Sequence, residues 1–233
     1  MSSIAPLKTY CVLATMAVAP LMLMGCQNEV FRDGGPEVHF LTSKPPVIKA
    51  LNQPLLPLAP GTTWDMAADA KGIVKIQGRV IGQDASGGSL IEFRKNGSLW
   101  RREAYRNTTS GLFLLEMGED EKPMMRLSPP VPILRYPLHE GDSQSWRGTF
   151  RYGTLVYPAT SFSRISALEK IKSPLGAVFT YRIDTLITIN QEGKLVKFPT
   201  IRWLAPGTGF MQRSFVDEGH NYLTELRKFT PGK

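Results

Sequence analysis

Turn-forming residues recur along this chain about every 8 to 12 residues, and that spacing is what most restricts its fold. The signals are Lys71-Gly72, Gly87-Gly88, Asn96-Gly97, Gly118, Gly141-Asp142, Gly153, Pro174-Leu175-Gly176, Glu192-Gly193, Pro206-Gly207 and Glu218-Gly219. The segments between them are too short for a helical domain and alternate in polarity. In 177–189, Ala177, Phe179, Tyr181, Ile183, Ile187 and Ile189 fall on one side, and Val178, Thr180, Arg182, Asp184 and Thr188 on the other. A period of two with one apolar face is a half-buried strand. Val74, Ile76 and Val80 mark another strand, and Ile91 and Phe93 the next. Asn96-Gly97 between apolar runs signals a tight hairpin, because both residues tolerate positive φ. Further strands are expected at 99–106, 111–117, 145–151, 154–162, 196–204, 208–216 and 221–229. One stretch, 163–172, reads either way: Ile165, Leu168 and Ile171 are three apart as on a helix, or the segment is a strand leading into Pro174. With no βαβ alternation, the expected class is all-β: a single strongly curved antiparallel sheet, a half-barrel or open barrel with at most one short helix.

The N-terminus reads as an export signal. Lys8 precedes an apolar run from Tyr10 to Met24, broken by Pro20, and no carboxylate occurs before Glu29. The run is shorter than the ~20 apolar residues of a spanning helix. It ends in Leu23-Met24-Gly25-Cys26, which resembles the bacterial lipoprotein lipobox, with Met24 a departure from its usual pattern. That resemblance implies cleavage before Cys26 and thioether attachment of a diacylglycerol to its thiol. Residues 1–25 are then a signal peptide. Residues 26–54, with Gly34, Gly35, Pro36, Pro45, Pro46 and Pro54, are the lipidated cysteine and a tether. A flexible chain of that length has an r.m.s. reach of roughly 30 Å. The β domain is expected over 55–231. Gln27 in the position after the cysteine implies, by the same resemblance, an outer-membrane location facing the periplasm in a Gram-negative host.

Several phrases in 55–230 together resemble a group of bacterial envelope lipoproteins of unknown activity. They are Pro57-Leu58-Ala59-Pro60-Gly61-Thr62-Thr63-Trp64, then Tyr136-Pro137-Leu138 with Gly141 and Trp146, then Pro174-Leu175-Gly176-Ala177-Val178-Phe179, and the stretch Trp203 to Phe210 followed by Arg213. The resemblance implies a half-barrel similar to lipoprotein-carrier folds. A half-barrel cannot close its own core, so its concave apolar side is expected to hold a lipid-like or amphipathic ligand. Trp64, Trp146, Phe179, Tyr181, Trp203 and Phe210 are the candidate lining of that cavity, with core filling the alternative for Trp64, Trp146 and Trp203. The alternative is a structural subunit that receives a protein partner on a sheet edge.

Charge and chemistry narrow the rest. The formal charge is +8, from 28 Lys and Arg against 20 Asp and Glu. Arg94, Lys95, Arg101, Arg102 and Arg106 crowd one expected hairpin and are candidate contacts for an anionic surface, or a solvated face balanced by Glu92 and Glu103. Nucleic acid is not an expected partner of an exported chain. Two cysteines and three histidines exclude a disulfide scaffold and a Cys-rich zinc module, and no cofactor or metal is expected. His139, Glu140, Asp142, Asp217, Glu218 and His220 lie in turns without tight ligand spacing. Gly141-Asp142-Ser143 and Asp217-x-x-His220 echo a serine hydrolase, with Ser143 as nucleophile and His220 as base. They sit in an all-β context instead of the α/β one such blocks require, so no catalytic residue is expected.

Overall fold

The computed structural model describes residues 54–68, 74–84, 87–120, 122–217 and 220–233. The apolar run, Cys26 and the tether up to residue 53 lie outside the described residues. In chain order the strands are β1 (Thr63–Ala68), β2 (Val74–Gln83), β3 (Ser89–Lys95), β4 (Ser98–Thr108), β5 (Gly111–Glu119), β6 (Met125–Arg135), β7 (Ser143–Tyr152), β8 (Leu155–Ser173), β9 (Gly176–Gln191), β10 (Lys194–Ala205), β11 (Gly209–Asp217) and β12 (His220–Thr230). Each pairs antiparallel with the next, and β12 returns to β1, with Thr63 opposite Thr230 and Ala68 opposite Thr224. The sheet is therefore a closed barrel, which corrects the expectation of an open half-barrel. Period-two patterning specifies a curved sheet, but nothing local to any strand says that the first and last will meet.

Local signals act as expected. Asn96 and Gly97 have φ of 51° and 92°, the two left-handed positions of a two-residue hairpin turn. Glu192-Gly193 takes the same form with φ of 53° and 89°. On β9, Tyr181, Ile183, Thr185, Ile187 and Ile189 are buried in alternation with more exposed Arg182, Asp184, Leu186 and Thr188. The ambiguous stretch 163–172 is strand. The step from Ile165 to Leu168 comes from a bulge: Ile165 faces Ile183 and Ala167 faces Arg182, so Ser166 is an extra residue, whereas Leu168 and Ile171 fall on opposite faces of the strand. One inserted residue converts a two-residue step into three, which imitates a helical repeat.

A regular twelve-strand barrel would leave a lumen, since diameter grows with strand number. This one is filled. β6 carries Pro129, Pro130 and Pro132, which cannot donate to a ladder. Its pairing with β7 stops after Arg126–Ser128 opposite Thr149–Arg151. β6 then leaves β7 and approaches β8 and β9 instead; Ser163 Oγ donates to the Pro132 carbonyl at 3.5 Å. Leu55 and Leu56, ahead of β1, are fully buried and plug one end. Asn107 Nδ2 holds that plug by donating to the Leu56 carbonyl at 2.7 Å, and the Gly207 N–H donates to the Pro54 carbonyl at 2.9 Å. Aromatic edges meet faces in the middle: Trp64 and Phe210 rings are 5.3 Å apart, Phe93 and Phe215 5.7 Å, Trp100 and Phe215 4.9 Å.

Closure makes the crowded wall intolerant of added volume at chosen points. Gly111 has φ of 150°, and a Cβ there would strike the Leu134 carbonyl oxygen on β6. Gly97 also has positive φ but nothing lies within 4 Å of its would-be Cβ. Gly97→Ala is expected to destabilise by about 1–2 kcal/mol from backbone strain. Gly111→Ala should add about 1–3 kcal/mol of overpacking to a similar strain. Urea unfolding midpoints of the two variants check the difference.

Candidate functional site

The six residues expected to line a cavity divide into three groups. Trp64, Trp146, Tyr181 and Phe210 are buried within the closed barrel. They pack against other side chains as filling: the Trp64 Nε1–H donates to the Thr208 carbonyl at 2.6 Å, and Trp146 packs against Gly148. Trp203 sits on the other face of β10 from Arg202, opposite Arg182 in register; its Nε1–H donates to Glu169 Oε2 at 2.7 Å and the Arg182 guanidinium lies 5.3 Å from its ring. Phe179 is 46% exposed near the β8–β9 turn, with Lys170 Nζ 5.6 Å from its ring. They therefore do not form one concave apolar wall. Strand parity about the bulges, unreadable before the register was known, distributes them.

The interior instead holds a charged centre. Glu103 on β4 accepts from Arg213 on β11, with Nη1 to Oε2 at 2.8 Å and a second bond from Nη2 to Oε1. The Tyr105 hydroxyl donates to Glu103 Oε2 at 2.6 Å, and Arg101 Nε to Oε1 at 2.7 Å. Arg202 faces Arg213 across β10 and β11 and is also buried. The Arg213 guanidinium carbon lies 4.8, 5.2 and 4.3 Å from the Phe93, Phe210 and Phe215 rings. Burial alone would raise the Glu103 carboxyl. The charges of Arg213 and Arg101, the Arg213 hydrogen bond and the charge of Arg202 together overcome it and hold the carboxyl well below the usual range. Burial also pushes the Tyr105 hydroxyl up. It pushes the Tyr181 hydroxyl, with Tyr136 beside it, up to about 12.

The basic hairpin does not present one cationic face. Arg101 points inward to Glu103, because residues at i and i+2 on a strand share a side. Its neighbour Arg102 bonds the Lys122 carbonyl. Arg94 pairs with Glu92 at 3.3 Å, Lys95 lies over Trp100 and Tyr222 at 5.9 and 5.0 Å, and Arg106 is half-buried and engaged.

Ser143 and His220 lie at opposite ends of the barrel. Ser143 starts β7 at the end carrying the Leu55–Leu56 plug, and His220 starts β12 at the other. The His139–Asp142 turn lies at the end where β7 begins, while β11 ends at Asp217 and β12 begins at His220 at the other; Glu218 lies outside the described residues. His139 Nδ1 lies 3.1 Å from Asp142 Oδ2, and its backbone N–H donates to the same oxygen at 2.9 Å, which closes the turn. Among the described residues no three His, Cys, Asp or Glu side chains gather to hold a metal.

Two clefts remain. One of about 170 Å³ is lined by Arg101, Lys197, Phe198, Thr200 and Phe215, among others. The other, of about 160 Å³, follows the β6–β7 seam between Tyr136, Ser143 and Arg164. Both fall short of the roughly 300 Å³ at which ligand pockets begin. The outer surface offers more. Ser145, Phe162, Leu186 and Pro199 are register partners across β7, β8, β9 and β10. Phe162 is 48% and Leu186 36% exposed. Arg147, Thr160, Thr188 and Lys197 form the next row, and Arg164 and Asp184 stand on the other side. The sequence reading missed this row because single exposed apolar residues on a strand are ordinary; only register aligns them.

No family model and no curated protein matches the chain. Two solved structures resemble it. One is a Bacteroides fragilis protein described as exported, with a YmcC-like fold; it is 13% identical, with a TM-score of 0.48, over 76% of this chain and 99% of that one. The other is a Parabacteroides distasonis protein described as a lipoprotein; it is 12% identical, with a TM-score of 0.39, over 76% and 99%. At these scores the fold and site described above stand on this chain's own residues.

Glu103 provides the sharpest test of the centre. Glu103→Ala strands two buried arginines and is expected to destabilise by about 3–5 kcal/mol, whereas Glu103→Leu with Arg213→Leu should recover part of that loss. The carboxyl is depressed in the folded state, so its contribution is fully present above its unfolded pKa of about 4.3 and fades as pH falls below that value. The stability gap between wild type and Glu103→Gln, measured by urea unfolding, should be widest near neutrality and narrow below about pH 4.

Proposed function

We propose that this chain is an envelope-anchored, non-catalytic interaction protein that holds a protein partner on the outer face of β7–β10. The Phe162–Leu186–Pro199 row carries the proposal. An aromatic centre flanked by Arg147, Arg164 and Lys197 has the composition of an interface hot spot with a polar rim. Closure argues against the two docking modes drawn from an open sheet. Among the described residues the interior is packed with the protein's own side chains, which argues against a trough for a lipid-like ligand, and the closed barrel leaves its free edge along the β6–β7 seam. The partner therefore packs face-on. The separation of Ser143 from His220 supports the non-catalytic part. The apolar run before Leu23-Met24-Gly25-Cys26 supports anchoring through Cys26 and an outer-membrane location.

A photo-crosslinking residue placed at Phe162 or Leu186 in cells is expected to yield a discrete protein adduct, and one at exposed Arg79 on β2 none. Phe162→Asp should abolish the adduct formed at Leu186, since a central hot spot contributes about 2 kcal/mol or more. Equal labelling at all three positions, or none, overturns the interface. Extractable extra mass in native mass spectrometry would instead revive a carried ligand.

A further inference from the structure

β8 and β9 are 19 and 16 residues long and outrun their neighbours. β7 begins opposite Arg164, and β10 pairs with β9 as far as Leu204 opposite Tyr181. Beyond those registers Glu169–Ser173 pairs with Gly176–Thr180. A two-stranded arm of roughly 20 Å thus extends past the strands on either side. Its tip exposes Pro174 and Leu175, the latter 48%. One face exposes Lys170, Lys172, Ala177 and Phe179, whose register pairs are Lys170 with Phe179 and Lys172 with Ala177. The sole carboxylate between Arg164 and Arg182, Glu169, is buried and bonded to Trp203. The arm's exposed surface is therefore apolar and cationic throughout.

The arm belongs to the barrel end at which Pro54 joins the Gly207 turn. The chain leading from Cys26 joins the barrel at this end through Pro54, and not at the Asn96 and Glu192 turns. We propose that the β8–β9 arm docks on an anionic lipid surface, with Leu175 and Phe179 entering the headgroup–acyl boundary and Lys170 and Lys172 meeting lipid phosphates. Apolar side chains flanked by lysines fit such a surface, where burial and charge attraction add. The orientation rests on the anchor reading; the docking itself does not.

The test uses residues 26–233 with Cys26→Ser, so that neither the apolar leader nor an acyl chain partitions. Leu175→Cys then carries an environment-sensitive dye on the only thiol, and Asn96→Cys serves as the opposite-end control. The label at 175 is expected to shift to the blue on phosphatidylglycerol vesicles and not on phosphatidylcholine, with no shift at 96. Lys170→Ala with Lys172→Ala should weaken vesicle binding about thirtyfold, and added salt should weaken it further. Both lysines are exposed, so the variant's circular dichroism and melting are expected to match the parent. No shift at 175, equal shifts at both ends, or a protein adduct in place of lipid from a photo-crosslinker at 175 in cells each overturns the proposal. Acylation of Cys26 is read separately from the mass of the membrane-extracted chain. An acylated chain whose unacylated form ignores the vesicles removes the arm and leaves the anchor standing.

Discussion

The pairing of β12 with β1 is the constraint on which the other features of this barrel depend. Without it, both terminal strands would expose unsatisfied backbone groups along their length, and the inner face would be an open apolar trough. With it, every inward side chain competes for an enclosed volume that a round barrel would leave partly empty. The chain resolves this by redirecting β6 and plugging one end. Three prolines end the β6–β7 ladder early, β6 swings toward β8 and β9, and Leu55 and Leu56 close one end. The filled interior is the direct result.

Within that interior the Glu103–Arg213 pair joins β4 to β11, strands far apart in sequence and not adjacent in the wall. Desolvating these charges is expensive, and the arrangement compensates through bidentate geometry, the Tyr105 hydroxyl and three aromatic faces around Arg213. Such a centre contributes less net stability than its contacts suggest. Its geometric demands are strict, so a slip of one residue in either strand would turn a charge outward and leave its partner alone.

With the inside filled, recognition moves outward. The exposed row across β7–β10 and the protruding β8–β9 arm share the same two long strands but occupy different parts of them. A face-on protein contact in the wall and a membrane contact at the tip are geometrically compatible, and together they would hold the barrel at a defined orientation on an envelope surface.

The strands, the Asn96-Gly97 turn and the all-β class were legible in the sequence, because period-two burial and positive-φ turn residues act over a few neighbouring positions. Trp64 and Trp146 were legible as core filling for the same reason. Closure was not, since it depends on accumulated twist and on the meeting of residues 63–68 with 224–230. Neither was the inward turn of Arg101, the exposure of Phe179 or the alignment of Phe162 with Leu186, each set by strand register and by bulges such as that at Ser166. The sequence by itself determined which segments are strands and which of their faces are apolar. Only the tertiary structure decided which strands neighbour one another and what each face meets, because those contacts join residues that no local pattern relates.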